Sequence, residues 1–316
     1  MLTNLPSTVV VREASLRDGL QSVATIVPIE NKLAWLREAY AAGLREIEVG
    51  SFVPARLLPQ MEGTADVVAE ARTLPDLFVS VLVPNLRGAE MAMASGAHMM
   101  TLPLSASHAH SLANLRKAPD EVVAEVARIR AARDASGSKT LIEGGVGTAF
   151  GCTIQGAVDP AEVVRLVGQL LDAGADRISL ADTVGYATPD VVHDLFDQAV
   201  RLAGDQFWSA HFHDTRGLGI ANVLAAMDVG ATRFDACLGG LGGCPHAPGA
   251  SGNVSTEDLN YLFTSMGIST GLSMEKLLAL RQRIADWLPH ETLRGVIWQA
   301  GLPKIYPFAS TTPAHA

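Results

Sequence analysis

A parallel (β/α)8 TIM barrel is the fold this sequence predicts, and three observations carry the expectation. Short β-rich runs alternate with longer amphipathic stretches, the β-rich runs number eight, and no Gly-x-Gly-x-x-Gly follows the first of them. Such alternation means parallel strands joined by helices. Eight strands favour a closed barrel over an open doubly wound sheet, and the missing glycine fingerprint weakens the dinucleotide-binding form of that sheet. A length of 316 residues suits one barrel.

In chain order, strands are expected at Thr8–Glu13, Glu46–Ser51, Phe78–Val83, Met99–Leu104, Thr140–Val146, Arg177–Ala181, Ser209–His213 and Phe234–Leu238. Helices are expected between them, for example at Pro28–Ala42, Pro119–Ala135, Pro160–Ala173 and Pro189–Ala203. Each of these opens on a proline, whose fixed φ and missing N–H suit a first helical turn. Asp159 and Thr188 stand where N-caps belong. Gly43, Gly174 and Gly230 follow helix ends, where the left-handed conformation terminates a helix. Beyond Leu259 the pattern turns helical, at Asp258–Met266 and Ser273–Leu288. One domain is expected over residues 1–316, with the barrel at about 8–258 and a helical appendage at about 259–309; Ser310–Ala316 reads as a frayed tail.

Composition narrows the function classes. The chain is 48% apolar and 18% charged, which excludes intrinsic disorder. Its net charge of −9 argues against nucleic acid or a polybasic membrane surface as partner. The uncharged stretch Met91–Leu115 is broken by Gly96, Pro103 and histidines, so it is not a membrane span. Cys152, Cys237 and Cys244 form no CxxC pair and fit a reducing compartment. The opening residues carry no secretory pattern, so a cytoplasmic location is expected.

Barrel chemistry sits at the C-terminal ends of the strands. There the sequence places Arg17-Asp18 after the first strand, Glu48 and Ser51 on the second, Asp182 after the sixth, and His211-Phe212-His213 at the end of the seventh. Residues i and i+2 on a strand face one side, so the two histidines can share an ion. A bare HxH is a weak signal, but Asp18 and Asn253 add donors from other strand ends. Mixed imidazole and oxygen donors suit Mg²⁺, Mn²⁺ or Zn²⁺. Arg17 can hold a developing enolate with its planar donor fork, or it can simply pair with Asp18. Glu48 alternates with Glu46, one of which could lie at the solvent edge. Asp182 can orient neighbouring site groups or make an Asx-turn. The glycine-rich stretch Gly239–Gly252 carries Cys244 and leads to Asn253, as a closing lid or a phosphate cradle would. A thiol there can move one proton. Cys237 reads as packed core.

Arg17-Asp18-Gly19-Leu20-Gln21, Ile47-Glu48, Ser179–Gly185, His211–Thr215 and Gly239–Asn253 together resemble, in order, the 3-hydroxy-3-methylglutaryl-CoA (HMG-CoA) lyase family of metal-dependent TIM barrels. The resemblance covers roughly Val9 to Leu280, and Gly-Leu-Gly-Gly-Cys-Pro is its most specific piece. It implies Asp18, His211, His213 and Asn253 as ligands of Mg²⁺ or Mn²⁺, and Arg17 as the enolate-stabilising cation. It implies Asp18 or His211 as base toward the tertiary hydroxyl, Cys244 as proton donor, and Glu48 and Asp182 as supports. Substrate contacts fall to Arg17, Gln21, Ser51, Asn85 and Gly243. An acyl-CoA substrate, a homodimer and retro-Claisen or retro-aldol cleavage are what the family implies. Leu20 stands where related condensing synthases read Glu, which sets them and the pyruvate-type aldolases second. A non-catalytic acyl-CoA-binding barrel ranks last, since no ligand or arginine is lost. The chain departs from the family at Ser22–Thr25 and at Glu143–Cys152, near the expected acyl end. There the loss of polar groups implies a less polar or differently charged acyl portion.

Overall fold

The computed structural model describes residues 5–243 and 252–306. Eight parallel strands close in sequence order: β1 (Val10–Glu13), β2 (Glu46–Ser51), β3 (Phe78–Leu82), β4 (Met99–Ser105), β5 (Leu141–Gly147), β6 (Arg177–Asp182), β7 (Phe207–Phe212) and β8 (Arg233–Ala236). Pairing of Val10 with Arg233 through Glu13 with Ala236 closes the ring. The expected closed barrel is therefore the fold.

The helices wrap the barrel because each turns one apolar stripe inward. In α6 (Pro160–Asp172), Val163, Leu166, Val167 and Leu170 are buried at helical spacing. Asp159 caps that helix by accepting from the Ala161 N–H at 2.9 Å. Thr188 makes no such cap on α7 (Pro189–Ala203), because its hydroxyl donates to Asp190 instead. Gly43, Gly174 and Gly230 all take positive φ after their helices. The last helices are α9 (Thr256–Ser265), α10 (Met274–Trp287) and α11 (Val296–Ala300). Helix α10 packs on α1 (Ile29–Ala41), where Trp287 stacks on the buried Trp35 at 6.1 Å. No helix among the described residues is long and apolar enough to cross a membrane.

Strand ends shift by a few residues from expectation, and the one at the end of β7 shapes the site. Thr8 bridges Ser269 instead of extending β1. His213 leaves β7 and bridges Asn253, which returns from the glycine-rich segment. Asn253 is thereby drawn to the barrel mouth. The frayed-tail expectation at 310–316 and the lid residues 244–251 lie outside the described residues.

Candidate active site

Arg17 and Asp18 sit on a π-helical turn, Ser15–Gly19, directly after β1, where the Gly19 N–H reaches back to the Ala14 carbonyl. Single π turns are rare and cluster at functional sites. This one sets two adjacent side chains into the barrel mouth. Arg17 Nε donates to Glu48 Oε2 at 2.7 Å and Nη1 to Asp18 Oδ1 at 2.5 Å. Glu48 therefore supports Arg17, and neither it nor Glu46 faces solvent; both are buried.

Asp18, His211 and His213 bring one donor atom each to within 4.8 Å of one another, and all three are buried. His211 Nε2 lies 3.8 Å and His213 Nε2 3.7 Å from Asp18 Oδ2. The two Nε2 atoms are 3.2 Å apart. His211 Nδ1 lies 3.1 Å from Asp235 Oδ2, so a proton on Nδ1 has a carboxylate partner, and the neutral ring in that tautomer would turn its Nε2 lone pair toward the cluster. Asn253 Nδ2 donates to Asp18 Oδ2 at 2.6 Å and to the Leu241 carbonyl at 3.0 Å, while its buried Oδ1 has no partner among the described residues. An orphaned buried acceptor beside two imidazoles and a carboxylate fits a divalent cation.

The electrostatics agree. Burial opposes charge on Asp18, yet Arg17 and the two histidines outweigh it and hold the carboxyl well below its usual range. Burial also opposes a charged His211, but Asp235 and Asp18 raise its pKa. Burial raises Glu48 and is only partly offset by Arg17. It pushes the Cys237 thiol far up, as befits a packed core residue.

A cavity of about 750 Å³ opens above this cluster and is lined by Arg17, Asp18, Gln21, Glu48, Asn85 and Gly243 among others. That volume suits a small-molecule ligand. Two expected site residues are used otherwise. The Ser51 hydroxyl accepts from the Val53 N–H at 3.1 Å, and Ser51 does not line the cavity. The Asp182 carboxylate accepts from the Tyr186 and Ala187 N–H groups at 2.9 and 3.0 Å, which makes it the clamp of the β6–α7 turn. Asn85 lines the cavity and also caps the helix Leu86–Ser95 through the Gly88 N–H. Cys244 lies outside the described residues.

Sequence reasoning missed the floor of the site. Arg12 donates to Asp235 at 2.8 and 2.7 Å, to Glu143 at 2.6 and 3.1 Å, and to Ser209 at 2.9 Å. Glu143 was expected near the acyl end; it is instead sealed beneath the cavity, 0% exposed. The available signal was the inward period-2 register that Arg12 and Asp235 share with the site strands. Beside the site, the fully buried Glu13 and Glu257 accept from the Leu238 and Gly239 N–H groups and so anchor the start of the glycine-rich segment.

Fold and site define a class: (β/α)8 barrels with a candidate divalent-metal centre at the C-terminal mouth. The HMGL-like family model matches residues 8–284, and the chain belongs to that metal-dependent family. It is a carbon–carbon lyase of that family. Hydroxymethylglutaryl-CoA lyase of Pseudomonas mevalonii is 38% identical over 277 residues, 87% of this chain and 91% of that protein. (R)-citramalyl-CoA lyase of Chloroflexus aurantiacus is 37% identical, over 89% of this chain and 90% of its own. An HMG-CoA lyase from Acenitobacter baumannii, solved with coenzyme A and 3-methylmalate, superposes with a TM-score of 0.89 at 39% identity, covering 96% of this chain and 98% of that one.

Proposed function

We propose that the protein cleaves the C2–C3 bond of a 3-hydroxyacyl-CoA, releasing acetyl-CoA and a carbonyl product, with HMG-CoA the first substrate to assay. The observation that carries this reading is the convergence of Asp18, His211, His213 and the orphaned Asn253 Oδ1 beside Arg17. These four residues would hold Mg²⁺ or Mn²⁺. A bound divalent cation supplies Lewis-acid polarisation of the substrate's oxygens.

The chain's own groups supply the rest. Asp18 or His211 accepts the proton of the C3 hydroxyl. The C2–C3 bond then breaks, its electron pair passes into the thioester enolate, and a ketone remains. Glu48 and Asp18 occupy Nε and Nη1 of Arg17, and no hydrogen bond occupies Nη2 among the described residues. Arg17 therefore keeps donor capacity for the enolate oxygen. Cys244 is assigned the final proton delivery to C2. Gln21, Asn85 and Gly243 contact the thioester arm, while Arg56 and Lys117 at the cavity rim suit the phosphates of coenzyme A. Ser51 and Asp182 act through the loops they hold. Family resemblance supports a homodimer, which size-exclusion chromatography with light scattering checks, and the buried free thiols Cys152 and Cys237 fit a cytoplasmic location.

The test is incubation of purified protein with HMG-CoA and each metal, with acetyl-CoA and acetoacetate measured. Release of both supports the reading; absence of both with every metal rejects HMG-CoA as substrate. Formation of a condensed acid from acetyl-CoA and 2-oxo acids would favour the synthase alternative.

A further inference from the structure

The candidate metal centre is tied to a side chain that touches none of its ligand atoms. Arg281 lies on α10, does not line the cavity and is 3% exposed. A buried guanidinium persists only where partners repay its lost hydration. Nε donates to Glu257 Oε1 and Nη2 to the Arg294 carbonyl, each at 3.0 Å, and the guanidinium carbon lies 4.4 Å from the centre of the Trp298 ring.

Those two partners grip one residue from both sides. Glu257 accepts from the Gly239 N–H at 3.1 Å, and the Arg294 N–H donates to the Gly239 carbonyl at 2.6 Å. Arg281 thereby closes a ring of hydrogen bonds around Gly239, where the glycine-rich segment begins. Asp258 steadies the Arg294 side of the ring, since its carboxylate accepts from the Val296 and Ile297 N–H groups, both at 2.9 Å.

From Gly239 to Asn253 the path is short. Gly239 takes φ +64° and Gly240 φ +58°, so two left-handed residues in succession set the direction of the chain. A Cβ at Gly240 would stand 3.2 Å from Arg294 Cβ and 3.2 Å from the Asn253 carbonyl oxygen, so this backbone is held between the ring and the ligand residue. The next carbonyl, that of Leu241, accepts from the Asn253 N–H at 3.4 Å and from Asn253 Nδ2 at 3.0 Å. Asn253 Nδ2 also donates to Asp18 Oδ2 at 2.6 Å. An amide has two protons to give, and both are committed. The direction of Oδ1, the buried acceptor without a partner among the described residues, is set by those two bonds.

We propose that Arg281 is a positioning residue for the metal centre, acting through Glu257, Arg294 and Gly239 to hold the Leu241 carbonyl where it orients the Asn253 amide. The proposal rests on the assignment of Asn253 as a metal ligand above. Arg281 touches neither metal nor substrate in this role. Its removal leaves the Arg294 carbonyl without the guanidinium and Glu257 with only the Gly239 N–H of the ring, so the grip on Gly239 loosens at both ends.

Calorimetric titrations with Mn²⁺, and separately with coenzyme A, compare wild type with Arg281→Met, Arg281→Lys and Arg283→Met, each checked for folding by circular dichroism. Arg283 is exposed on the same helix and pairs with Glu38 on α1, so it controls for general effects on α10. Arg281→Met is expected to weaken Mn²⁺ binding by about 10–100-fold, the usual cost of losing a group that orients a metal ligand, with the coenzyme A Kd unchanged. Arg281→Lys keeps a cation for Glu257 but lacks the fork that spans both partners, so its Mn²⁺ Kd falls between. Arg283→Met keeps both wild-type constants. An unchanged Mn²⁺ Kd in folded Arg281→Met, or equal weakening of Mn²⁺ and coenzyme A, overturns the proposal. So does an Arg283→Met protein that weakens Mn²⁺ as much as Arg281→Met. Should Arg281→Met fail to fold, Arg281→Lys decides by the same criteria. A wild type that binds no Mn²⁺ overturns the metal reading and this proposal together, whereas equal Mn²⁺ binding by wild type and the Arg281 variants overturns the proposal alone.

Discussion

Asp18 meets more of the site than any other side chain. It contacts Arg17, faces both histidines and accepts from Asn253 Nδ2. Asp18→Asn removes the negative charge while keeping the volume, so the histidines lose the carboxylate that completes the cluster. Activity is expected to fall by about 10²–10⁴-fold, the range for loss of a positioned acid–base group. Calorimetric titration with Mn²⁺ is expected to lose its high-affinity isotherm in parallel. Full activity in this variant would remove the metal mechanism. His211→Ala is expected to act in the same direction, since it deletes one imidazole and leaves Asp235 with only Arg12 as side-chain partner among the described residues.

At the scale of elements, the two described ends of the segment after β8, at Gly239–Gly243 and Gly252–Asn253, border the site, and their glycines have separate reasons. Gly242 takes φ +98°, and a Cβ there would stand 2.6 Å from Asn253 Nδ2 and 3.2 Å from Asp18 Oδ2. Gly252 takes φ +90°, and its Cβ would meet the Gly242 carbonyl oxygen at 2.0 Å. Two stretches of backbone therefore touch where any side chain would part them. Gly242→Ala is expected to displace Asn253 from Asp18 and weaken Mn²⁺ binding by roughly tenfold or more, as disturbed supports of a metal site do. An unchanged Kd in a correctly folded Gly242→Ala protein would show that the contact is slack. The glycine concentration was legible in the sequence. The particular pair that must approach was not, because it depends on Asn253 returning to bridge His213.

For the molecule as a whole, legibility follows contact distance along the chain. Strand alternation and the HxH spacing are local, so barrel, Arg17-Asp18 and the histidine pair could be read directly. The ion cluster under the site joins Arg12 to residues 131 and 223 positions away, beyond any periodicity. Ser51 and Asp182 were legible as polar residues at strand ends, but turn-making and catalysis leave the same local mark, and only the hydrogen bonds decide. The Arg12 cluster is sealed from water, with Arg12 at 3% and Glu143 at 0% exposure. Arg12→Met leaves two carboxylates buried without their cation, at a cost of about 3–5 kcal/mol. Urea unfolding is expected to show that loss as a lower midpoint at unchanged m, with partial recovery in Arg12→Met/Glu143→Gln. A single variant as stable as wild type would mean that the carboxylates find water.

A second long-range tie makes stability depend on pH. Glu257 accepts from the Gly239 N–H and from Arg281 Nε at 3.0 Å, so it joins the end of the barrel to α10. Arg281 also donates to the Arg294 carbonyl, whose residue donates its own N–H to Gly239 O at 2.6 Å. Burial raises the Glu257 carboxyl from 4.5 to about 7, more than Gly239 and Arg281 lower it. Between those two values the folded state holds a proton that the unfolded chain has released. Stability from this group is therefore complete below pH 4.5, falls as pH rises toward 7, and is lost above it. The swing is on the order of 3 kcal/mol. Glu257→Gln cannot titrate, so the difference in unfolding free energy between wild type and variant is expected to move against wild type across that window. Urea melts of both proteins at pH 5 and pH 7.5 measure the difference, and the other buried carboxylates, common to both, cancel from it. Parallel pH profiles would show that Glu257 stays ionised in the folded protein, with Arg281 outweighing its burial.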